Sequence, residues 1–442
     1  MRPEYRDGEL IWDNNSLSEL ADTFGTPLHV ISIGELRSSI RSFLNPFQKE
    51  KLPIACYYSV KTNPIPYFLK CIKEEGIGAS VIPPYELWLA EKIGFTDIIV
   101  NGPAKSEALY HKAMHSKVKM FSLESEGEIL RALSMPSDGD DDLRIGIRIC
   151  PRLSTLNQRT SSGAKNSPYG LTSDEAISAA EKIQDMANLR FVGFHMHIGS
   201  GIQRLQPYKK ALKVMELIIE KAQDRGLKCS ILNIGGGIGS STAPLLNLTQ
   251  IALSMITATR PSSSDGNTRL LDDLAKEISR FRTRLARKRC EIEEIALEPG
   301  RRISASIQLT LLTALEVVEG HGGNRYIICD GGAMRLSPML LMENHNIFPV
   351  FNRHPKRFKY TVIGNLPSML DRVSSGVMLP PVKAGDRLAV LDTGAYNVTF
   401  NNNFAGPRPG IVMINKNKYE LIRRAETFDD VVSMDTEFPY KR

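Results

Sequence analysis

The chain has 442 residues, of which 42% are hydrophobic and 24% charged, and its formal charge is +7. That length exceeds one ordinary core and predicts two domains, while the ordinary composition disfavours disordered, collagenous and membrane proteins. The basic residues are spread along the chain, and the densest stretch, 280–289, shares its predicted helix with Asp272, Asp273, Glu277 and Glu291. A solvated face is therefore expected, and no nucleic-acid partner. No apolar run reaches spanning length and the N-terminus lacks the apolar core of a signal peptide, so no membrane partner and a cytoplasmic location are expected. Six scattered cysteines predict buried free thiols rather than a disulfide framework or a metal site.

In chain order, residues 1–31 are expected to supply strands, 27–31 among them, to a β domain completed much later. Eight short apolar runs follow, at 54–58, 77–82, 98–101, 118–123, 143–149, 191–195, 231–234 and 292–297. Segments of helical period separate them. In 63–75, Ile65, Phe68, Leu69 and Ile72 share one face, with Pro64 near the start and Gly76 past the end. Eight strand and helix units in about 250 residues are the arithmetic of a (β/α)8 barrel, here 32–303. The long crossover 240–290 predicts two helices joined by the turn 261–267, and the acidic run 137–142 predicts a solvated turn. The polar stretch 153–167 predicts a cover over the barrel mouth. From 304 to 442, β-rich runs between Gly and Pro turns predict a C-terminal antiparallel β domain.

Four motifs fall at the C-terminal ends of predicted strands, where barrel enzymes place their chemistry. Lys61 follows strand one. A lysine ending a buried strand is costly unless its amine is used chemically, and a Schiff base to a carbonyl cofactor is the commonest use. After strand six comes His195-Met196-His197-Ile198-Gly199-Ser200, and after strand seven the run Gly235-Gly236-Gly237-Ile238-Gly239. That run would let backbone amides approach phosphate oxygens at the entry to a helix. Glu298-Pro299-Gly300-Arg301 closes strand eight. A carboxylate there suits a protonated pyridine nitrogen, and Arg301 suits a substrate carboxylate or a strand cap. Together they read as a pyridoxal 5'-phosphate (PLP) site. His195, two residues before His197, reads as a satisfied core histidine, and no third ligand makes the pair a metal site.

These residues, in this order, resemble the fold-type III PLP-dependent decarboxylases of the alanine racemase-like barrel class, such as the diaminopimelate, ornithine and arginine decarboxylases. Further blocks carry the likeness: Gly76 to Ser80 with Glu86-Leu87, Asn101 to Lys105, Arg148 to Pro151, Asp330-Gly331-Gly332, Gly394-Ala395-Tyr396 and Phe404 to Pro409. The resemblance implies that Lys61 holds the cofactor covalently and His197 stacks on it. Ser200 is expected to support the phosphate, and Gly300 and Arg301 are expected among the cofactor-binding residues; the resemblance further implies that Gly235, Gly236, Gly237 and Tyr396 serve the phosphate, that Glu298 pairs with the ring nitrogen, and that the assembly is a homodimer with shared sites.

The chain also departs from the family pattern. Where Gly-Pro-x-Cys, an acidic residue and a later aspartate are usual, it reads Gly364-Asn365-Leu366-Pro367-Ser368-Met369-Leu370-Asp371. Pro367 replaces the expected proton donor, and Ser368 replaces the carboxylate that reads a distal amine; Glu343 is a candidate substitute reader. Ser80 and the turn 83–85 replace an acidic residue and a Ser-Gly-Gly turn. The expected function is α-decarboxylation of an amino acid or amino-acid conjugate in a specialised pathway. A racemase on the same scaffold and a non-catalytic PLP-binding protein are the alternatives; no tyrosine is clearly placed as the second base a racemase needs, and retention of Lys61, His197, Glu298 and Tyr396 argues against loss of catalysis.

Overall fold

The computed structural model describes residues 2–135, 142–153, 161–260, 268–320, 323–352 and 354–436. The expected acidic turn, apart from Asp142, and the turn 261–267 lie outside these residues. So do residues 154–160 of the expected cover. The chain divides into two compact units, one of Arg41–Gly239 with Asn267–Arg302 and one of Met1–Ile40 with Ser240–Gly266 and Ile303–Arg442.

The first unit is the barrel. Its strands are β1 (Ile54–Ser59), β2 (Gly78–Val81), β3 (Ile98–Val100), β4 (Val118–Leu123), β5 (Leu143–Arg148), β6 (Leu189–His195), β7 (Ile231–Asn233) and β8 (Glu294–Leu297). All neighbours pair in parallel, and β8 returns to β1 to close the ring. Each of the eight apolar runs is therefore a barrel strand. Tyr57, Ile99, Met120, Val192, Ile231 and Ala296 form one of its buried clusters. At Gly146 on β5 a Cβ would lie 1.9 Å from the Met120 methyl carbon, so glycine makes room for the larger side chain. The first outer helix starts later than its periodicity suggests, at Pro66 rather than Asn63. A residue before proline is pushed out of the helical region, and both Asn63 and Ile65 are extended.

The second unit is a mostly antiparallel sheet of nine strands, as expected of a C-terminal β domain. Leu28–Ser32, from the N-terminal segment, lies inside this sheet, antiparallel to Gln308–Glu319 and parallel to Gly410–Asn415. Two buried clusters fill the unit, one built on Leu312, Ile327, Val362 and Val377, the other on Trp12, Leu28, Leu309 and Val412. The crossover 240–290 does form two helices, Leu248–Thr257 and Leu270–Arg287. Its first part belongs with the sheet, because Leu246 N donates to Met342 O at 2.9 Å and Arg260 binds the side chains of Asn344 and Asn346. All six cysteines are buried free thiols. Among the described residues no helix is long and apolar enough to cross a membrane.

Candidate active site

Lys61 sits in a short 3-10 turn, Val60–Thr62, immediately after β1. The turn is pinned by Ser59 N donating to Pro299 O at 3.0 Å. It is also packed from the side by Gly300, where a Cβ would fall 2.2 Å from Thr62 Oγ1. Any larger residue at 300 would push the lysine turn away. Lys61 lines a cavity of about 470 Å³ at the C-terminal end of the barrel, together with Ser80, Arg148, His195, His197 and Glu298. Ser200, Ser161, Ser162, Asn166 and Ser167 line the same space. The described end of the predicted polar cover is thus part of the cavity wall.

Glu298 is buried, with 7% of its surface exposed, and its carboxylate is held by neutral donors. Asn101 Nδ2 donates to Oε1 at 2.9 Å and Asn233 Nδ2 to the same oxygen at 2.5 Å, while Ser80 Oγ donates to Oε2 at 2.9 Å. Burial pushes the carboxyl above the ordinary range, opposed by the bonds from Asn233 and Ser80 and by the Lys61 and Arg148 cations. Such a carboxylate wants a cation, and none of its hydrogen-bonding partners is one. Ser80 therefore serves the glutamate here. Asn233 escaped the sequence reading; its signal was an amide inside the apolar run Ile231-Leu232-Asn233-Ile234.

His197 is partly exposed on the cavity wall and its pKa is lowered to about 3, by burial first and then by Arg148 and Lys61. It is a neutral ring at physiological pH. Its Nδ1 accepts from Gly236 N at 3.4 Å, tying it to the glycine run. At Gly236 a Cβ would lie 2.1 Å from Glu298 O, and at Gly237, whose φ is +81°, 2.0 Å from Gly199 O. Only glycine allows the turns after β6, β7 and β8 to meet so closely. The expectation of a helix directly after this run fails. The chain continues to Asn247, whose side chain caps Leu248–Thr257 in a reciprocal box with Gln250. Any phosphate contact at the run must come from backbone amides, without a helix dipole.

Arg301 opens the short helix Arg301–Ser304 and is buried. Arg148 is held by Glu124 at 2.6 Å, with its guanidinium over the Tyr169 ring. The remaining predicted residues belong to the sheet unit. Tyr396 is partly exposed, adopts a left-handed φ of 66°, and stacks on Phe400 at 6.1 Å. Glu343 is buried with Oε2 at 3.3 Å from His345 Nε2. Ser368 is partly exposed and its Oγ accepts from Leu370 N at 3.2 Å within its own turn.

The arrangement fits PLP on its own chemistry. An amine, a flat neutral imidazole and a sequestered carboxylate converge on one cavity beside a turn too tight for any side chain. Barrel and site define the class of PLP-dependent enzymes built on a (β/α)8 barrel. The sequence pattern of the family described as "Pyridoxal-dependent decarboxylase, pyridoxal binding domain" matches residues 33–305, and the chain belongs to that family. It is similar to a diaminopimelate decarboxylase of Aquifex aeolicus, at 30% identity over 97% of this chain and 96% of the relative. A diaminopimelate decarboxylase of Methanocaldococcus jannaschii is 25% identical over 99% of this chain and 97% of its own length. A crystal structure from Aquifex aeolicus superposes with a TM-score of 0.82 at 28% identity, covering 99% of this chain and 98% of that one. The diaminopimelate decarboxylase of M. jannaschii in complex with L-lysine reaches a TM-score of 0.87 at 24% identity, again over 99% and 98% of the two chains, a likeness of fold. The protein is a PLP-dependent carboxy-lyase acting on an amino acid.

Proposed function

We propose that the chain decarboxylates an amino acid or amino-acid conjugate whose distal end carries no free ammonium group, in a specialised biosynthetic pathway, as a homodimer with shared active sites. The observation that carries this reading is the cavity wall. Among the described residues lining it, Glu298 is the sole carboxylate, and its oxygens are taken up by Ser80, Asn101 and Asn233. A distal ammonium would lose water and gain no anionic partner there, at a cost of about 1.5–3 kcal/mol. Ser368 offers no replacement charge.

Bound PLP supplies an electron sink for the pair left when the α-carboxylate departs. Lys61 Nζ would hold the cofactor, and with Pro367 aprotic the Lys61 amine would be the group that returns a proton to Cα. His197, a neutral group, would lie against the ring and exclude water. Backbone amides of Gly235, Gly236 and Gly237, with Ser200 and Tyr396, would receive the phosphate. Gly300 keeps the lysine turn in register, Arg301 would receive a substrate carboxylate, and Glu298 would keep a proton on the ring nitrogen. Ser368 would face the distal end of the substrate in the assembled dimer, whereas Glu343, buried beside His345, would offer it no charge. Support for that assembly is the exposure of Met369 and Leu370, 57% and 53%, beside Ser368.

Carbon dioxide release across free and conjugated amino acids tests the reading. Neutral, acidic or conjugated substrates should turn over best. Ornithine, lysine or diaminopimelate turning over at about 10⁴ M⁻¹s⁻¹ or more would overturn it. A second reading, diaminopimelate itself as substrate, draws on the names of the relatives from A. aeolicus and M. jannaschii, and the same panel separates the two. For the dimer, mixing inactive Lys61→Ala with inactive Tyr396→Ala should restore part of the activity through hybrid sites; no recovery would count against shared sites.

A further inference from the structure

The cavity wall contains a second histidine that the chemistry above does not use. His195, at the end of β6, is 1% exposed. Its Nδ1 lies 2.8 Å from Ser122 Oγ on β4, and its Nε2 lies 3.6 Å from Glu298 Oε1 with no hydrogen-bond partner. The histidine is thus satisfied at one nitrogen only. A neutral imidazole carries one proton, and its position decides which face meets the glutamate. With the proton on Nδ1, the Nε2 lone pair would point at a carboxylate oxygen inside a low-dielectric core, where repulsion is strong. With it on Nε2, an N–H dipole points at that oxygen and Ser122 Oγ–H donates to Nδ1. The serine hydroxyl makes no other hydrogen bond among the described residues, so it is free to donate.

We infer that Ser122 and His195 form a donor relay that fixes the Nε2–H tautomer against Glu298, and that this pair is a positioning device that keeps the glutamate anionic and thereby the bound cofactor's ring nitrogen protonated. The inference rests on the reading of Glu298 as the partner of that nitrogen. Every group turned to the glutamate is then uncharged: Ser80, Asn101 and Asn233 donate to it, and the His195 Nε2–H dipole lies 3.6 Å away. Burial first, then the Arg148, Lys105 and Lys61 charges around it, keep His195 from becoming a competing cation. The ring nitrogen remains the one cation the carboxylate can take up. A protonated histidine at 3.6 Å would satisfy the glutamate and weaken its hold on that proton.

Two measurements test this. In the apoprotein, long-range ¹H–¹⁵N correlation should report His195 as the Nε2–H tautomer; the Nδ1–H tautomer would overturn the relay. In the holoenzyme reconstituted with ¹⁵N-labelled PLP, the midpoint pH for loss of the ring-nitrogen proton should fall by about one unit, a tenfold change in equilibrium, in Ser122→Ala and in His195→Leu. His195→Gln, which keeps an N–H donor near the same place, should recover most of the shift. Glu298→Gln is the control and should lower the midpoint further. If Glu298→Gln leaves it unmoved, the reading of Glu298 fails and the relay with it. If Glu298→Gln lowers it while Ser122→Ala and His195→Leu do not, the relay alone fails. Should His195→Leu not fold, Ser122→Ala keeps the ring in place and decides the matter.

Discussion

Glu298 in the barrel unit and Asp371 in the sheet unit are both buried carboxylates, and the two are held in opposite ways. In the barrel, Glu298 is surrounded by side-chain donors, and Oε2 has a single contact on the wall of a cavity. In the sheet unit, Asp371 is fully buried and its oxygens accept from backbone amides, Met334 N at 2.9 Å and Leu366 N at 3.2 Å. Two glycines are closed over it, for a Cβ at Gly332 would lie 2.3 Å from Oδ1 and one at Gly364 2.1 Å from Oδ2. Backbone donors cannot be withdrawn without unfolding the turn, so Asp371 is part of the fold. Side-chain donors on different strands can be tuned singly, which suits the role proposed for Glu298 toward a cofactor.

The sharpest test of this contrast is on the barrel side. Lys61→Ala should lose turnover by roughly 10⁴-fold or more, the scale seen when a covalent catalytic group is deleted, and borohydride should no longer fix a pyridoxyl group to the protein. Peptide mapping of the wild type should find that group on Lys61; finding it on another lysine would displace the site. Glu298→Gln should cost about 10²–10³-fold in kcat while the apoprotein's melting temperature changes little. A large loss of stability without loss of rate would erase the distinction between the two carboxylates.

On the sheet side the order reverses. Asp371→Asn presents a donor to the Met334 or Leu366 amide and should cost about 1–3 kcal/mol of stability, measured by denaturant titration. Heat lability should be the primary defect, with PLP affinity per folded molecule preserved.

Histidines repeat the pattern and add a pH dependence. His29 in the sheet unit is buried, and burial first, then the nearby Arg423, lower its pKa from 6.5 to about 3. Its Nε2 accepts from Asn401 Nδ2 at 3.1 Å. The unfolded chain binds a proton below pH 6.5 that the native state refuses until about 3. Stability is therefore unaffected above that window and falls as pH drops through it, by about 1–2 kcal/mol at pH 5. His29→Gln should flatten this slope whatever its effect at neutral pH; an unchanged slope would show that the acid lability arises elsewhere.

How much of this was legible in the sequence follows from what kind of interaction each part uses. The eight barrel strands are short apolar runs that must be buried on both faces, so composition alone exposes them. Lys61 and Glu298 stand out as charges ending such runs. The strand Arg372–Leu379 was not anticipated, because Ser374, Ser375 and a Gly376 with φ of +65° break the alternation. The late start of the helix after the glycine run is written in Pro244 and the Asn247–Gln250 box, signals weaker than the glycines before them. The donors to Glu298 come from β2, β3 and β7 and meet only on closure of the barrel. Asn233 and the Ser122–His195 pair could be marked as polar residues in apolar strands, but their common target could not.

The smallest effect expected is also the one that most directly tests what the sheet unit contributes to chemistry. Ser368 lies three residues before Asp371, on a turn whose Met369 and Leu370 are exposed. A carboxylate introduced there would meet the one Leu370 amide that Ser368 Oγ now accepts from, not a cage, and would keep most of its charge available. If this turn reads the distal end of the substrate, Ser368→Asp should raise kcat/KM for ornithine or lysine about tenfold, equivalent to ~1.4 kcal/mol and near the lower end of a charge-assisted hydrogen bond. It should act on KM more than on kcat, since Pro367 still supplies no proton. Ser368→Asn, which keeps the size without the charge, should give no such gain. Equal responses from the two variants would mean that the turn is remote from the substrate, and that the missing distal reader must be sought on the barrel wall alone.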